Sequence, residues 1–170
     1  MAEPIIYEDL IKAKMTQLAN ITTQAQDRIN SQILSSGARD MLENLGEGAY
    51  QEYVNNLNSF DSDTYPAFDS LSFDVLNSEQ KSLRNLIYAE SYFSLYYLAI
   101  SLKKLVKGAV NTIRDSAGGA NIYAAPFEDL IANADNYRDL ANQCLSFASV
   151  NNEDEPDDIY TQGQFGVFTV

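Results

Sequence analysis

Residues 86–102, LIYAESYFSLYYLAISL, decide the fold, because so apolar a stretch belongs either to a membrane or to the interior of a protein. Glu90 is its one charged residue. A carboxylate at the centre of a bilayer costs roughly 3 kcal/mol, and the stretch is at the short end of a membrane span. No second apolar span accompanies it. The stretch therefore predicts a helix in a protein core.

Two apolar stripes follow this helix at spacings of three and four residues. One stripe consists of Tyr88, Tyr92, Leu95, Ala99, Leu102 and Val106. The other, on a different side, consists of Leu86, Phe93, Tyr97 and Ile100. A helix with two apolar sides must be covered on both, by its own domain or by a neighbouring subunit. The pattern leaves both possibilities open.

Composition places the chain among globular proteins and limits its chemistry. The 170 residues suffice for one domain whose core needs no disulfide or metal. A net charge of −13 disfavours a nucleic-acid backbone as partner. Cys144 is the one cysteine and histidine is absent, which excludes an intrachain disulfide, a Ser-His-Asp triad and the usual zinc sites. The N-terminus carries acidic residues in place of the basic region of a signal peptide, so we expect no leader.

The periodicity of apolar residues predicts a mainly α protein, a helical bundle around a long central helix. The four predicted helical regions are residues 7–19, 22–57, 78–107 and 126–150. Ser78 begins the long helix, and Gly108 is expected to end it. Pro126 suits the first turn of the last helix.

The second helical region contains both a start signal and several possible breaks. Thr22 or Thr23 can cap its first turn through the side-chain hydroxyl. Gly37, Gly46 and Gly48 are places where the helix can kink or divide into two. Between this region and the long helix, residues 58–77 predict a polar loop with four aromatic anchors.

Three further segments depart from the helical pattern. Residues 109–125 predict an extended, Gly-containing arm with a flexible turn at Gly118 and Gly119. Residues 151–158, NNEDEPDD, predict an acidic linker that cannot fold alone. Residues 159–170, IYTQGQFGVFTV, form an apolar, β-prone C-terminal tail. The tail either folds back onto its own domain or docks onto another chain.

No stretch carries a recognisable catalytic or metal-binding motif. Asp61 and Asp63 have the spacing that opens a calcium loop. However, Tyr65, Pro66 and Ser72 occupy positions where an EF-hand requires a ligand, a glycine and a glutamate. We therefore interpret this segment as a polar loop. A pair of carboxylates meeting in space would escape detection by spacing, so a carboxylate-based enzyme remains an alternative.

The order of segments resembles the adaptor, or head–tail connector, proteins of tailed bacteriophages. The resemblance spans residues 5–150. A short helix is followed by QDRINSQILSSGARDMLENLGEGAYQEY, then by a helix with AESYFSLYYLAISL, a Gly-containing arm, a helix ending in LANQCLSFA, and a tail. This chain departs from a plain adaptor in its apolar tail end and its aromatic-rich loop.

The resemblance implies a structural, non-enzymatic protein without cofactors or metals. Members of the family form a twelve-subunit ring beneath the portal, extend the DNA channel and present a surface to tail-side proteins such as a tail terminator. DNA would pass through without specific binding, no membrane is involved, and the protein would reside at the head–tail interface of the virion after synthesis in the host cytoplasm. The arm and tail would make the assembly contacts, through Ile113, Ile122, Tyr123, Ile159, Tyr160, Phe165, Val167, Phe168 and Val170.

Two alternatives compete with a phage neck subunit. One is another helical assembly or partner-binding protein, for tail completion or scaffolding. The other, from a different class, is the carboxylate-based enzyme, which would require acids from separate helices to meet in a concave site.

Overall fold

A computed structural model describes residues 3–113 and 125–152 of the chain. In these residues the chain forms eight α-helices, and the prediction of a mainly helical protein is confirmed. The helices are α1 (Tyr7–Ala19), α2 (Thr23–Gln26), α3 (Ser31–Leu45), α4 (Glu47–Asn58), α5 (Thr64–Asp69), α6 (Ser78–Ile113), α7 (Glu128–Ala132) and α8 (Ala134–Asn152). Short 3₁₀ turns cover Phe73–Val75 and Ala125–Phe127.

The long helix α6 begins where the sequence predicts and ends later. Asn77 accepts a hydrogen bond from the Gln80 backbone N–H at 2.8 Å, and the Gln80 side chain accepts one from the Asn77 N–H at 3.0 Å. This reciprocal capping fixes the start at Ser78. The predicted stop at Gly108 is wrong, because α6 continues to Ile113. A glycine inside a helix is unfavourable by only about 1 kcal/mol, which is too little to end a helix of 36 residues.

This longer helix corrects the boundary of the predicted arm. Residues 109–113, including Val110, Thr112 and Ile113, were expected to be extended and are helical. Residues 114–124, which hold the rest of the predicted arm, lie outside the described residues. At the other end of the chain, α8 includes residues 151 and 152 of the predicted acidic linker. Residues 153–170, with the remainder of the linker and the tail, also lie outside the described residues.

Helix α6 packs against α1, α3, α4, α7 and α8, and most extensively against α8. The two helices are antiparallel. Near the start of α6, Ser82 donates a hydrogen bond to the carbonyl of Ala148 at 3.3 Å. Two to three turns later, the ring of Tyr92 stacks on Tyr137, with 6.3 Å between their centroids. The prediction of one unbroken helix after Pro126 is wrong, because the chain turns at Asn133 between α7 and α8.

The break between α3 and α4 lies at a single glycine. Gly46 has a φ of 85°, a conformation that other residues rarely adopt, and it separates the two helices. Gly37, where a kink was considered, lies inside the unbroken α3. A Cβ at this position would come within 3.1 Å of the Ser94 backbone nitrogen. Gly37 is therefore explained by the close approach of α3 to α6.

The predicted aromatic loop contains a short helix and contributes to the core. The rings of Phe60 and Phe68 lie 5.1 Å apart, and those of Phe60 and Tyr65 lie 5.2 Å apart. Asp61 Oδ1 accepts hydrogen bonds from the backbone N–H groups of residues 63 and 64, at 3.0 and 2.8 Å. These bonds lower the pKa of the Asp61 carboxyl. Of the two aspartates that resemble the start of a calcium loop, Asp61 thus holds the turn before α5 through its carboxylate.

The stretch at residues 86–102 lies in the core, and the residues of its first stripe are buried to different degrees. Leu95, Ala99 and Leu102 are buried, whereas Tyr88 and Tyr92 of the same stripe are half-buried. No helix of the described ranges is long and apolar enough to cross a membrane.

Candidate functional site

The residues predicted as assembly contacts fall almost wholly outside the described part of the chain. Ile113 is the last residue of α6. The other eight, in residues 122–123 and 159–170, lie in ranges that the structure does not describe. The site-like features of the described residues are instead a buried carboxylate in α6 and a groove beside it.

The buried carboxylate is Glu90, and two tyrosines from distant helices donate hydrogen bonds to it. The hydroxyl of Tyr7 in α1 lies 2.6 Å from Glu90 Oε1 and 2.5 Å from Oε2. The hydroxyl of Tyr53 in α4 donates to Oε1 at 2.8 Å. Glu90 is only 2% exposed and Tyr53 1%. We refer to Tyr7, Tyr53 and Glu90 as the Glu90 cluster.

The electrostatics of the Glu90 cluster are dominated by burial. No lysine or arginine of the described ranges forms an ion pair with Glu90. Burial raises the pKa of its carboxyl to about 7, although the hydrogen bonds from Tyr7 and Tyr53 act in the opposite direction. Burial and the adjacent Glu90 also raise the pKa of both tyrosines. The tyrosines are therefore hydrogen-bond donors at neutral pH, while the carboxyl changes its charge there.

A small cleft reaches the Glu90 cluster from the side of α1 and α3. Its volume is about 60 Å³, and Tyr7, Ile11, Leu34 and Glu90 are among the residues that line it. Such a space accommodates a few water molecules, whereas small-molecule sites typically require several hundred Å³. A carboxyl with a pKa near 7 is suited to proton transfer. The cleft beside Glu90, however, admits water but is too small for a substrate of ordinary size.

A larger groove lies between α4, α6 and α8. Its volume is about 690 Å³. Aliphatic side chains such as Leu83, Leu86 and Leu145 line it together with the carboxylates of Glu52 and Glu79. Among the residues that line this α4–α6–α8 groove there is no lysine or arginine. It therefore suits an uncharged or basic partner better than an acidic one.

Tyr53 belongs to both features. Tyr53 is among the residues that line the α4–α6–α8 groove, and its hydroxyl donates to Glu90. The same hydroxyl lies 3.4 Å from the carbonyl oxygen of Leu86, which also lines the groove. The groove and the α1 cleft are thus two sides of one buried polar cluster.

Two other charged residues are buried in the described part of the chain and have structural partners. Lys14 in α1, 3% exposed, forms an ion pair with Asp69 at 2.7 Å and lies 5.3 Å from the ring centroid of Tyr88. Arg84 in α6 donates to the carbonyl oxygens of Phe68 and residue 71. These groups attach α1 and the segment around α5 to α6.

Cys144 in α8 matches its interpretation as a packing residue in part, since it is half-buried and packs against the core. Burial raises the pKa of its thiol to about 12, which makes it a poor nucleophile at neutral pH.

Sequence reasoning used Glu90 only as an argument against a membrane span and missed its role in the core. One signal was present: a lone charge within an apolar helical stretch must find hydrogen-bond partners when buried. Its partners were not predictable, because Tyr7 lies 83 residues away and Tyr53 lies 37 residues away.

In the described ranges no group of three or more Cys, Asp or Glu residues is arranged to hold a metal ion. Comparisons of the chain with protein-family models, curated proteins and solved structures give no match.

Proposed function

We propose that this protein is a non-enzymatic structural subunit of a phage neck. In this proposal its copies form a ring, of twelve subunits by the resemblance, that joins the portal to the tail and extends the DNA channel. The subunit is a helical bundle around α6 as its central helix. The virion is its site of action.

The observation that carries this proposal is the length of α6. Its 36 residues extend for about 54 Å, whereas the 19 residues of the antiparallel α8 extend for about 28 Å. Within the described ranges, residues 103–108 of α6 are exposed or half-buried, and in the proposal this part of the helix contacts a neighbouring subunit. Leu105 and Val106, in the part of α6 beyond the start of α8, are only half-buried.

The charge of the chain supports the same proposal. Acidic residues outnumber basic ones by 24 to 11. A channel wall that repels phosphate lets a DNA polymer slide without binding it. The proposed role therefore requires no nucleic-acid site.

The proposed assembly contacts combine Ile113 with segments on either side of α7 and α8. They are Ile113, Ile122, Tyr123, Ile159, Tyr160, Phe165, Val167, Phe168 and Val170. In the proposal they contact a neighbouring subunit, the portal, or a tail-side protein such as a tail terminator.

The direct test is to mix the purified protein with the portal protein encoded by the same genome and to image the product by electron microscopy. We expect ring-shaped density at the base of the portal. Its absence, with both proteins folded, would contradict the proposal. A monomer in the absence of portal is compatible with it, because the portal can act as the template for the ring.

A variant pair tests the tail. Replacing Phe165 and Phe168 by serine should leave the helix content unchanged, as measured by circular dichroism, and impair assembly on the portal. Replacing Gln162 and Gln164 by serine is the matched control, because it changes the same segment without removing apolar surface. Loss of thermal stability in the phenylalanine variant would show instead that the tail packs on its own domain.

The α4–α6–α8 groove favours a second candidate, a helical partner-binding protein for tail completion or scaffolding. Binding of another assembly protein, without binding of the portal, would favour this candidate. The pKa of Glu90 near 7 is the observation in favour of a carboxylate-based enzyme. The 60 Å³ cleft beside Glu90 opposes it.

A further inference from the structure

The N-terminal turns of α1 contact the carboxyl group of Glu90, which can change its charge. Tyr7, the first residue of α1, donates to Glu90. In the next turn, Leu10 and Ile11 are buried, at 4% and 1% exposure. The Lys14–Asp69 ion pair holds the helix further along. The protonation state of Glu90 therefore affects how firmly the first two turns of α1 are held.

The groups of the described ranges that face Glu90 include hydrogen-bond donors but no positive charge. From α1 these are Tyr7 and Glu8, which line the cleft beside Glu90. From α4 they are Tyr53, which donates to Glu90, and Tyr50, which interacts with Tyr7. The residues that α3 contributes to the cleft are uncharged: Leu34, Ser35 and Ala38. The hydrogen bonds and ion pairs of Glu90 in the described ranges include no residue of α8.

We propose that Glu90 is a proton-controlled latch for α1: while its carboxyl is neutral the first two turns of α1 stay docked on α6, and its ionisation favours their undocking. A neutral carboxyl donates its proton to one tyrosine oxygen or to water and accepts from the other tyrosine. An ionised carboxylate in the same place is a buried charge without a cation. Undocking of residues 7–11 removes Tyr7 and admits water to Glu90, with the released proton passing to solvent. This inference does not rest on the proposed function.

The direction of the effect follows from proton linkage. In the docked state the pKa of Glu90 is about 7, above the ordinary value of 4.5 that applies when the group is hydrated. Protonation therefore favours docking. The contribution of Glu90 to the stability of the docked state is complete below pH 4.5 and is lost as the pH rises to about 7. Within this window the population of the undocked state rises by up to about tenfold per pH unit.

Hydrogen exchange of the backbone amides of residues 10–13, measured by NMR between pH 5 and pH 8, tests the latch. The Leu10 N–H bonds to the carbonyl of Ile6, so these amides are protected only while the start of α1 is helical. After correction for intrinsic exchange, we expect their protection to fall by roughly tenfold or more between pH 5 and pH 7 and to level off above pH 7. Amides in the middle of α8 are the internal reference and should change less.

Two variants separate Glu90 from the other acids of this surface. In Glu90→Gln, which cannot ionise, the protection of α1 should become independent of pH. Glu8→Gln is the matched control: Glu8 lines the same cleft but is exposed, so this variant should keep the wild-type pH dependence. The proposal would be overturned if amide protection in Glu90→Gln kept the pH dependence of the wild type. It would also be overturned if Glu8→Gln lost that pH dependence.

A measurement on the unmodified protein keeps the test decisive if Glu90→Gln fails to fold. The ¹³C shift of the Glu90 carboxyl, recorded through the same pH range, should titrate with the midpoint at which α1 loses protection. A carboxyl that titrates below pH 5, or α1 and α8 amides that lose protection to the same extent, would refute the latch. The second result would identify global unfolding in place of local undocking.

Discussion

Replacing Tyr53 by phenylalanine removes one donor from Glu90 and keeps the aromatic ring in the core. The lost hydroxyl donates to Glu90 Oε1 at 2.8 Å, and the ring is 1% exposed. Tyr7 then remains as the one described side chain that donates to the carboxyl. We predict that Tyr53→Phe destabilises the protein at both pH 5 and pH 8, and more strongly at pH 8.

The magnitude follows from the charge state of the acceptor. At pH 8 Glu90 lies above its pKa of about 7 and is ionised, and a hydrogen bond to a charged group contributes about 1.5–3 kcal/mol. At pH 5 the carboxyl is neutral in the folded protein, and the same bond contributes about 0.5–1.5 kcal/mol. The difference of about 1 kcal/mol between the two conditions corresponds to a further rise of somewhat less than one unit in the pKa of Glu90.

Urea denaturation followed by circular dichroism at both pH values measures the two free energies of unfolding. Tyr92→Phe is the control, because Tyr92 stacks on Tyr137 of α8. We expect the control variant to change the free energy of unfolding by the same amount at both pH values. A loss in Tyr53→Phe that is equal at pH 5 and pH 8, or larger at pH 5, would refute the assignment of an ionisable, buried Glu90.

Two further predictions concern the packing of α3 and α1 and are checked by the same urea titrations. Gly37→Ala should destabilise the protein by about 1–3 kcal/mol, because the added Cβ would lie 3.1 Å from the Ser94 backbone nitrogen. Gly48→Ala is the control: a Cβ there meets nothing within 4 Å, so this variant should be neutral or stabilising by up to about 1 kcal/mol. Asp69→Ala should cost about 3 kcal/mol, because it leaves the cation of Lys14 buried, and Lys14→Met should cost less, because Asp69 is 23% exposed and can be hydrated. Equal effects of the two glycine substitutions, or a larger loss in Lys14→Met, would contradict these explanations.

The elements that sequence reasoning placed well are those determined by neighbours in the chain. The start of α6 at Ser78 depends on capping side chains, which act within one turn. The break at Gly46, one of three glycines that the sequence offered, depends on a backbone conformation with positive φ. The errors arose where a local signal was too weak to decide. Gly108 does not end α6, and Pro126 does not begin a single continuous helix. At Gly108 a preference of about 1 kcal/mol competes with the packing of the chain.

The sequence alone determined that this protein is mainly helical and that the stretch at residues 86–102 belongs to its interior. Helical periodicity and a lone carboxylate in an apolar segment are local properties, and the high cost of a charge in a bilayer removes the main alternative. Only the tertiary structure decided what that carboxylate does. The partners of Glu90 come from α1 and α4, 83 and 37 residues away, and no local pattern encodes which hydroxyl groups meet a buried charge. Burial raises the pKa of this glutamate to about 7, while the hydrogen bonds from the two tyrosines limit the rise.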